Sequence, residues 1–340
     1  MPAPAPLRVG LFGLNGHQVI RQLVNHPRAT LVATAAVAPA ALPGELQRGV
    51  THHDSLDALL ADDRVDLVSL CSPRRVDQAQ HAVAALRAGK HVYAEKPCAL
   101  NEGDLDAVLA AARASGRVFH EMAGTVFDQP YRAMRDAVRA GAVGEVVQVH
   151  AQKSYPWHDR RPHDEAIDGG LLRQVTIHAL RMICHAAGLH PTTVSSVQTS
   201  CGLAQLLASS PQAGPCPQGP DSPDAPRSAT ACALILTTAK GQVATATANY
   251  LNPRGTGVWG YETLRIFGTA GMIESHPDGS TRCVHGATDR GPLDTSAPAV
   301  DYFDLILAEL LDGAPMPLTL DEELLPTRLV NRARAAATQV

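Results

Sequence analysis

Up to residue 126, short apolar runs alternate with amphipathic ones, and that alternation leaves the chain very few folds. LRVGLFG (7–13), LVATAAV (31–37), VDLVSLCS (65–72), HVYAEK (91–96) and VFHEMA (118–123) are brief apolar runs beside turn residues, which predicts strands. Between them HQVIRQLVNH (17–26), SLDALLAD (55–62), RVDQAQHAVAALRAG (75–89) and EGDLDAVLAAARASG (102–116) have helical spacing. Asn101 suits an N-cap, and Gly89 and Gly116 suit C-caps. Strands and helices in strict alternation imply a parallel sheet wound on both faces.

After residue 126 the pattern changes. A helix over PYRAMRDAVRAG (130–141) precedes the run VGEVVQVHAQKS (143–154), and a second helix surrounds His178. TTVSSVQT, ATACALILTT, GQVATATANYL, YETLRIFGT and GMIESH then alternate apolar and polar residues, as an antiparallel sheet with one solvated face does. The expected organisation is therefore α/β in two domains, 1–126 with a doubly wound parallel sheet and 127–340 with a large open, mostly antiparallel sheet. The stretch 209–228, rich in Pro, Gly and Ser, reads as a mobile loop. DYFDLILAELLDG and LDEELLPTRLVNRARAAA close the second domain as helices.

Composition excludes several function classes. A net charge of −4 with no basic run argues against a nucleic-acid partner. No apolar stretch is long enough to span a membrane, and the N-terminus lacks the regions of a secretory signal. The seven cysteines (71, 98, 184, 201, 216, 232, 283) are scattered without CxxC spacing, which fits a reducing compartment, so the expected location is cytoplasmic.

The first predicted strand runs into Gly13-Leu-Asn15-Gly16-His17-Gln18. Dinucleotide loops use glycines for a tight turn, close approach to the pyrophosphate and helix packing. Gly13 supplies the first; Asn15 and Gln18 stand where the second and third would be, with Gly16 as a partial substitute. The second strand ends near Ala36 without the acid that binds a ribose 2′-hydroxyl. That lack fits NADP, its phosphate met by Arg74 or Arg75, or else a weakened site.

The segment ALRAGKHVYAEKP (85–97), preceded by CSPRR (71–75), is more specific. With GRVF, YRAMRDAVRAGAVGEVVQV, GGLL…H, LRIFGTAGMIE and the closing LPTRLVNRARAA, it resembles the glucose–fructose oxidoreductase / inositol dehydrogenase / MocA family over nearly the whole chain. The resemblance implies a Rossmann-like domain, then an α/β domain whose open sheet mediates oligomer contacts, as a homodimer or homotetramer. It implies NAD or NADP as cofactor and a sugar, cyclitol or related polyhydroxylated compound as substrate. The cofactor contacts it implies are Gly13, Asn15, Gly16, His17, Gln18, Cys71, Ser72, Pro73, Arg74, Glu95, Lys96 and Pro97, with the Lys96–Pro97 bond often cis. Lys96 would hydrogen-bond the reacting oxygen and help to manage its proton.

The family's second signature places an Asp four residues before a His on one helix face, a spacing that aims both at one pocket. Here His178 matches the His, Gln174 replaces the Asp, and Thr176 replaces a common Gly. Gln binds but does not titrate, so proton transfer rests on His178 and Lys96. The polar, aromatic stretch upstream, Lys153 to Asp168, reads as a loop. Tyr155 or Trp157 would form a sugar-stacking wall, and His158, Asp159 or Arg161 would bind hydroxyls or a carboxylate; the plainer alternative is a solvated loop held by Arg–Asp pairs. His158, Asp159, His163 and His178 are candidate metal ligands by type, but their spacing matches no metal motif, and no metal is expected. His120 and Glu121, ending a strand at the ligand edge, are candidate contacts to the nicotinamide or the substrate; Arg181 and His185 read as structural. The leading expectation is an NAD(P)-dependent oxidoreductase acting on CH–OH groups. The alternatives are a relative that oxidises transiently while eliminating or hydrolysing, and a non-catalytic ligand binder.

Overall fold

The computed structural model describes residues 5–157, 164–208 and 229–340. The chain divides into two compact units, residues 1–124 with 300–324, and residues 125–299 with 325–340. The expectation of two consecutive domains misses the return of 300–324 to the first unit.

In the first unit β1 (Leu7–Phe12), β2 (Ala29–Ala35), β3 (Thr51–His53), β4 (Leu67–Leu70), β5 (His91–Ala94) and β6 (Phe119–Glu121) form a parallel sheet in the order β3-β2-β1-β4-β5-β6. This is the strand order of a dinucleotide-binding Rossmann sheet, with its switch point between β1 and β4. β4 is buried throughout, and Val68, Leu70, Val92 and Phe119 share a core with Ala82 and Leu86 of helix Gln78–Arg87 and Leu105 and Val108 of helix Glu102–Ser115. The latter helix starts and stops as its sequence implies. Asn101 Oδ1 accepts the Asp104 amide at 2.8 Å, and Gly116 closes it at φ +63°. The helix expected over 17–26 is one turn, Ile20–Leu23, without a side-chain cap. Residues 300–324 add helix Tyr302–Asp312, whose Phe303 stacks on Tyr93 with ring centres 6.2 Å apart.

In the second unit β7 (Val146–Ser154), β8 (Pro191–Thr199), β9 (Ala231–Thr238), β10 (Val243–Asn249), β11 (Tyr261–Gly268), β12 (Gly271–Ser275), β13 (Thr281–His285), β14 (Thr288–Gly291) and β15 (Thr338–Gln339) form one sheet in the order β14-β13-β12-β11-β7-β10-β9-β8-β15. Its pairs are antiparallel except β7–β10 and β8–β15. Strand alternation gives it one buried face: Cys232, Leu234 and Leu236 of β9 are buried while Ala233 and Ile235 are exposed. Thr176 packs its hydroxyl 3.1 Å from the Cys232 sulfur, so the segment bearing His178 lies on that buried face. The expected loop 209–228 lies outside the described residues. Among the described residues no helix is long and apolar enough to cross a membrane.

Candidate active site

In the first unit the Gly13–Gln18 loop leaves the C-terminal end of β1, at the switch point of the sheet. Gly13 is required twice over: its φ is +71°, and a Cβ would strike the Cys71 carbonyl. Gly16, at φ +127°, lies so close to Glu95 that a Cβ would come within 2.5 Å of that side chain. Gln18, at the third-glycine position, turns inward. Its amide donates to the carbonyls of Gly13 at 2.9 Å and Ser69 at 3.3 Å, while its oxygen accepts the Val19 amide at 3.0 Å. Gln18 thus holds the loop's shape from beneath, where a glycine would have let the helix close up.

Glu95 ties the same loop to the end of β5. Its oxygens accept the His17 amide and the His17 Nδ1, each at 3.0 Å. Burial alone would raise this carboxyl, but the His17 hydrogen bond and the charges of His17, Lys96 and Arg75 hold it at about 2. Lys96 is buried beside it, and the Lys96–Pro97 bond is cis. Arg75 donates to the Asn15 carbonyl at 2.5 Å and to the Gln78 side chain. Gln78, fully buried, donates to the carbonyls of Glu95 and Pro97 and accepts the Ser72 amide at 3.3 Å. One buried pair therefore fastens the loops after β1, β4 and β5. Arg75 is committed there and is withdrawn as a phosphate ligand; Arg74 keeps an exposed side chain, with Asp77 3.8 Å away. Ala36 is exposed and left-handed, at φ +53°.

His120 does not serve the role expected of it. Its Nδ1 lies 2.7 Å from Glu323 and its Nε2 2.7 Å from Glu309, so neither nitrogen is left for a substrate. Glu323 also accepts the Glu121 amide and the Tyr302 hydroxyl, each at 2.5 Å, and Glu121 accepts the Cys98 amide at 2.8 Å. Burial would lower the imidazole, but the Glu323 and Glu309 carboxylates outweigh it and lift His120 to about 10.

In the second unit the helical stretch carrying Gln174 and His178 is not a regular α-helix. Asp164 caps a short turn, Glu165–Asp168, by accepting the Ala166 amide at 2.8 Å. Two positive-φ glycines, Gly169 and Gly170, follow. Then come a wide π-helical turn, Leu171–Val175, an α-helical Thr176–Arg181 and a second wide turn, Met182–Ala186. Gln174 and His178 thus fall in different helical geometries, a correction to the expected single register. They still share exposure: from Leu171 to Ala187 only Arg173, Gln174 and His178 are not fully buried. Arg181 and His185 are buried.

The ring of His178 meets Tyr155 edge-on, with centres 6.4 Å apart. Tyr155 follows β7, whose Lys153 lies 4.6 Å from the centre of the Tyr155 ring and pairs with Glu262. Glu262 also accepts the Tyr131 hydroxyl at 2.7 Å, and burial together with that carboxylate raises the Tyr131 phenol. Trp157 packs on Tyr250, ring centres 5.9 Å apart. Glu165 draws in two cations, Arg334 at 3.0 Å and Arg173 at 3.5 Å. His158, Asp159, Arg161 and His163 lie outside the described residues.

Residues 7–122 match a family described as an oxidoreductase family with an NAD-binding Rossmann fold, and residues 131–274 match the GFO/IDH/MocA C-terminal domain. The chain belongs to the Gfo/Idh/MocA oxidoreductase family. A dTDP-3,4-didehydro-2,6-dideoxy-alpha-D-glucose 3-reductase of Streptomyces violaceoruber is 33% identical over 183 residues, 52% of this chain and 53% of the relative. A myo-inositol 2-dehydrogenase of Thermotoga maritima is 27% identical over 133 residues, 38% of each chain. The chain thus aligns with about half the length, or less, of the curated relatives it matches. In fold it is similar over 98% of its length, and 99% of the other chain, to a 3-ketoreductase from Actinomadura kijaniata in complex with NADP, with TM-score 0.74 and 21% identity.

Proposed function

We propose that this chain is an NAD(P)-dependent oxidoreductase that moves a hydride between the nicotinamide and a hydroxyl or ketone carbon of a sugar, cyclitol or related polyol. The observation that carries the reading is Lys96, a buried ammonium at the end of β5, fastened by Glu95, Gln78 and Arg75 to a glycine loop at the switch point of an NAD-family sheet. The residues present fit a dinucleotide. The Leu14–His17 backbone and the Ser72–Arg74 turn flank the switch point, and their shape is set from beneath by Gln18 and Glu95 before any ligand arrives. When bound, the nicotinamide supplies or accepts the hydride.

The protein's own groups handle the proton. Lys96 donates a hydrogen bond to the reacting oxygen, favouring alkoxide character as a C–H bond breaks. His178 takes the hydroxyl proton during oxidation and returns it during reduction, a task suited to an imidazole left only partly buried. Gln174 binds a substrate hydroxyl without titrating. The exposed Ala36 and Arg74 favour NADP, since a 2′-phosphate meets a cation there and no carboxylate at position 36. The test is direct: purified protein is mixed with NAD(P)⁺ and polyols, or NAD(P)H and keto-sugars, and the nicotinamide absorbance is followed. Protein that binds neither nucleotide and turns over none of these overturns the proposal.

A further inference from the structure

The loop 251–260 between β10 and β11 presents Trp259, which is 57% exposed, beside the His178 neighbourhood. Its ring centre lies 6.2 Å from that of Tyr155, tilted by 49°, and Tyr155 in turn meets His178 edge-on. The loop is held so that the indole stays there. Buried Asn252 donates its amide to the Tyr155 carbonyl at 3.1 Å, and its side chain donates to the carbonyls of Val258 at 2.7 Å and Trp259 at 3.3 Å. Gly260, next in the chain, lies against the same Lys153 and Tyr155 side chains. A Cβ there would stand 3.5 Å from the Tyr155 ring, in ordinary contact, and 2.6 Å from Lys153 Nζ, the movable tip of a flexible side chain. A single exposed apolar side chain needs no explanation. One fastened at its own carbonyl, in a loop anchored to the Tyr155 carbonyl, is positioned.

The geometry points to a second-ring subsite: Tyr155 receives the ring that reacts at His178, and Trp259 stacks the flat face of a further ring attached to it. The inference rests on the oxidoreductase reading for where the reacting carbon sits, and deepens it to a substrate class, a sugar carrying a second ring. That ring is a second pyranose, offering its C–H face, or a nucleobase, offering its π face. Both chemistries suit an indole, whose large rigid surface binds rings at low cost in conformational entropy.

Trp259→Ala and Trp259→Phe are compared with the wild-type protein, with folding of each checked by circular dichroism. TDP and cellobiose are titrated against tryptophan fluorescence in the presence of NADP⁺. One of them is expected to change the emission saturably in the wild type, with the change lost in Trp259→Ala; which probe answers names the second ring. In turnover, cellobiose or a TDP-sugar is expected to exceed glucose in kcat/KM by roughly tenfold, with the ratio collapsing towards one in Trp259→Ala and partly restored in Trp259→Phe. Two silent probes, a fluorescence response that persists in Trp259→Ala, or an unchanged ratio would overturn the subsite. Turnover of glucose alongside silent probes removes the subsite and keeps the oxidoreductase reading. A Trp259-dependent response without turnover of any compound keeps the ring site and removes the hydride chemistry.

Discussion

Gln174 and His178 are two of the three residues left half-buried in a stretch otherwise sealed against the second-unit sheet. That shared placement gives position 174 a measurable role. In Gln174→Asp a carboxylate beside the imidazole stabilises its charged form, so the pH at which His178 becomes a competent base moves upward. The kcat/KM profile for oxidation is expected to shift its acidic limb to higher pH; an unmoved profile would take position 174 out of the proton network. His178→Ala is expected to lower kcat by roughly 10²–10⁴-fold while nucleotide affinity, read by calorimetry, stays put. Glu95→Gln should act on the other quantity. Losing a charge-assisted bond to His17 loosens the phosphate loop, and dinucleotide affinity is expected to fall by about tenfold. With the Glu95 carboxyl held at about 2, its contribution is present above the unfolded value and is lost only as pH falls through about 2, so neutral buffers do not disturb it.

At the scale of elements, His120 binds β6 to the two returning helical segments through Glu309 and Glu323. With a carboxylate facing each nitrogen, both nitrogens donate, and the ring is an imidazolium. Replacing it by Gln leaves two carboxylates facing a neutral amide, at a cost of about 3–5 kcal/mol in unfolding free energy. The sign of the pH dependence follows from the raised value. The stabilisation is complete below the unfolded imidazole's ~6.5 and fades as pH rises through about 10. Denaturant titrations at pH 6, 8 and 10 should therefore show wild-type stability declining across that span and converging on a His120→Gln variant that lacks this decline. The same residue shows why the sequence was legible only in part. Its place at the ligand edge of β6 follows from strand–helix alternation, but its partners lie about two hundred residues downstream, and no local pattern links them. Gln78 left a fainter trace, a polar residue on the apolar stripe with Ala82 and Ala85. β3 and the β13–β14 hairpin escaped because THH, TRCVH and TDRG have no apolar run to mark them. The wide turns at 171–175 and 182–186 escaped because helical spacing alone does not tell an α turn from a π turn.

At the scale of the whole molecule, the first unit is discontinuous: Phe303 stacks on Tyr93, Leu324 enters its core, and Asp312 pairs with Arg28 at 2.6 Å. A protein made of residues 1–124 alone is expected to be less stable, and to bind nucleotide more weakly, than one in which a short linker joins 124 to 300–324; equal denaturation midpoints would contradict this. In the full chain, NADP⁺ is expected to slow hydrogen exchange at 13–18, 71–75 and 95–98, because ligand binding adds its free energy to the opening of those loops. The returning segment also bears on synthesis. A ribosome releases the six strands of the first sheet early, yet Phe303, Glu309 and Glu323 leave the exit tunnel only after most of the second unit has been made. During that interval β6 lacks the carboxylates that pair with His120, and Tyr93 lacks its stacking partner. The nascent first domain therefore waits with an unfinished flank through most of translation, the interval in which a chaperone has the most to shield.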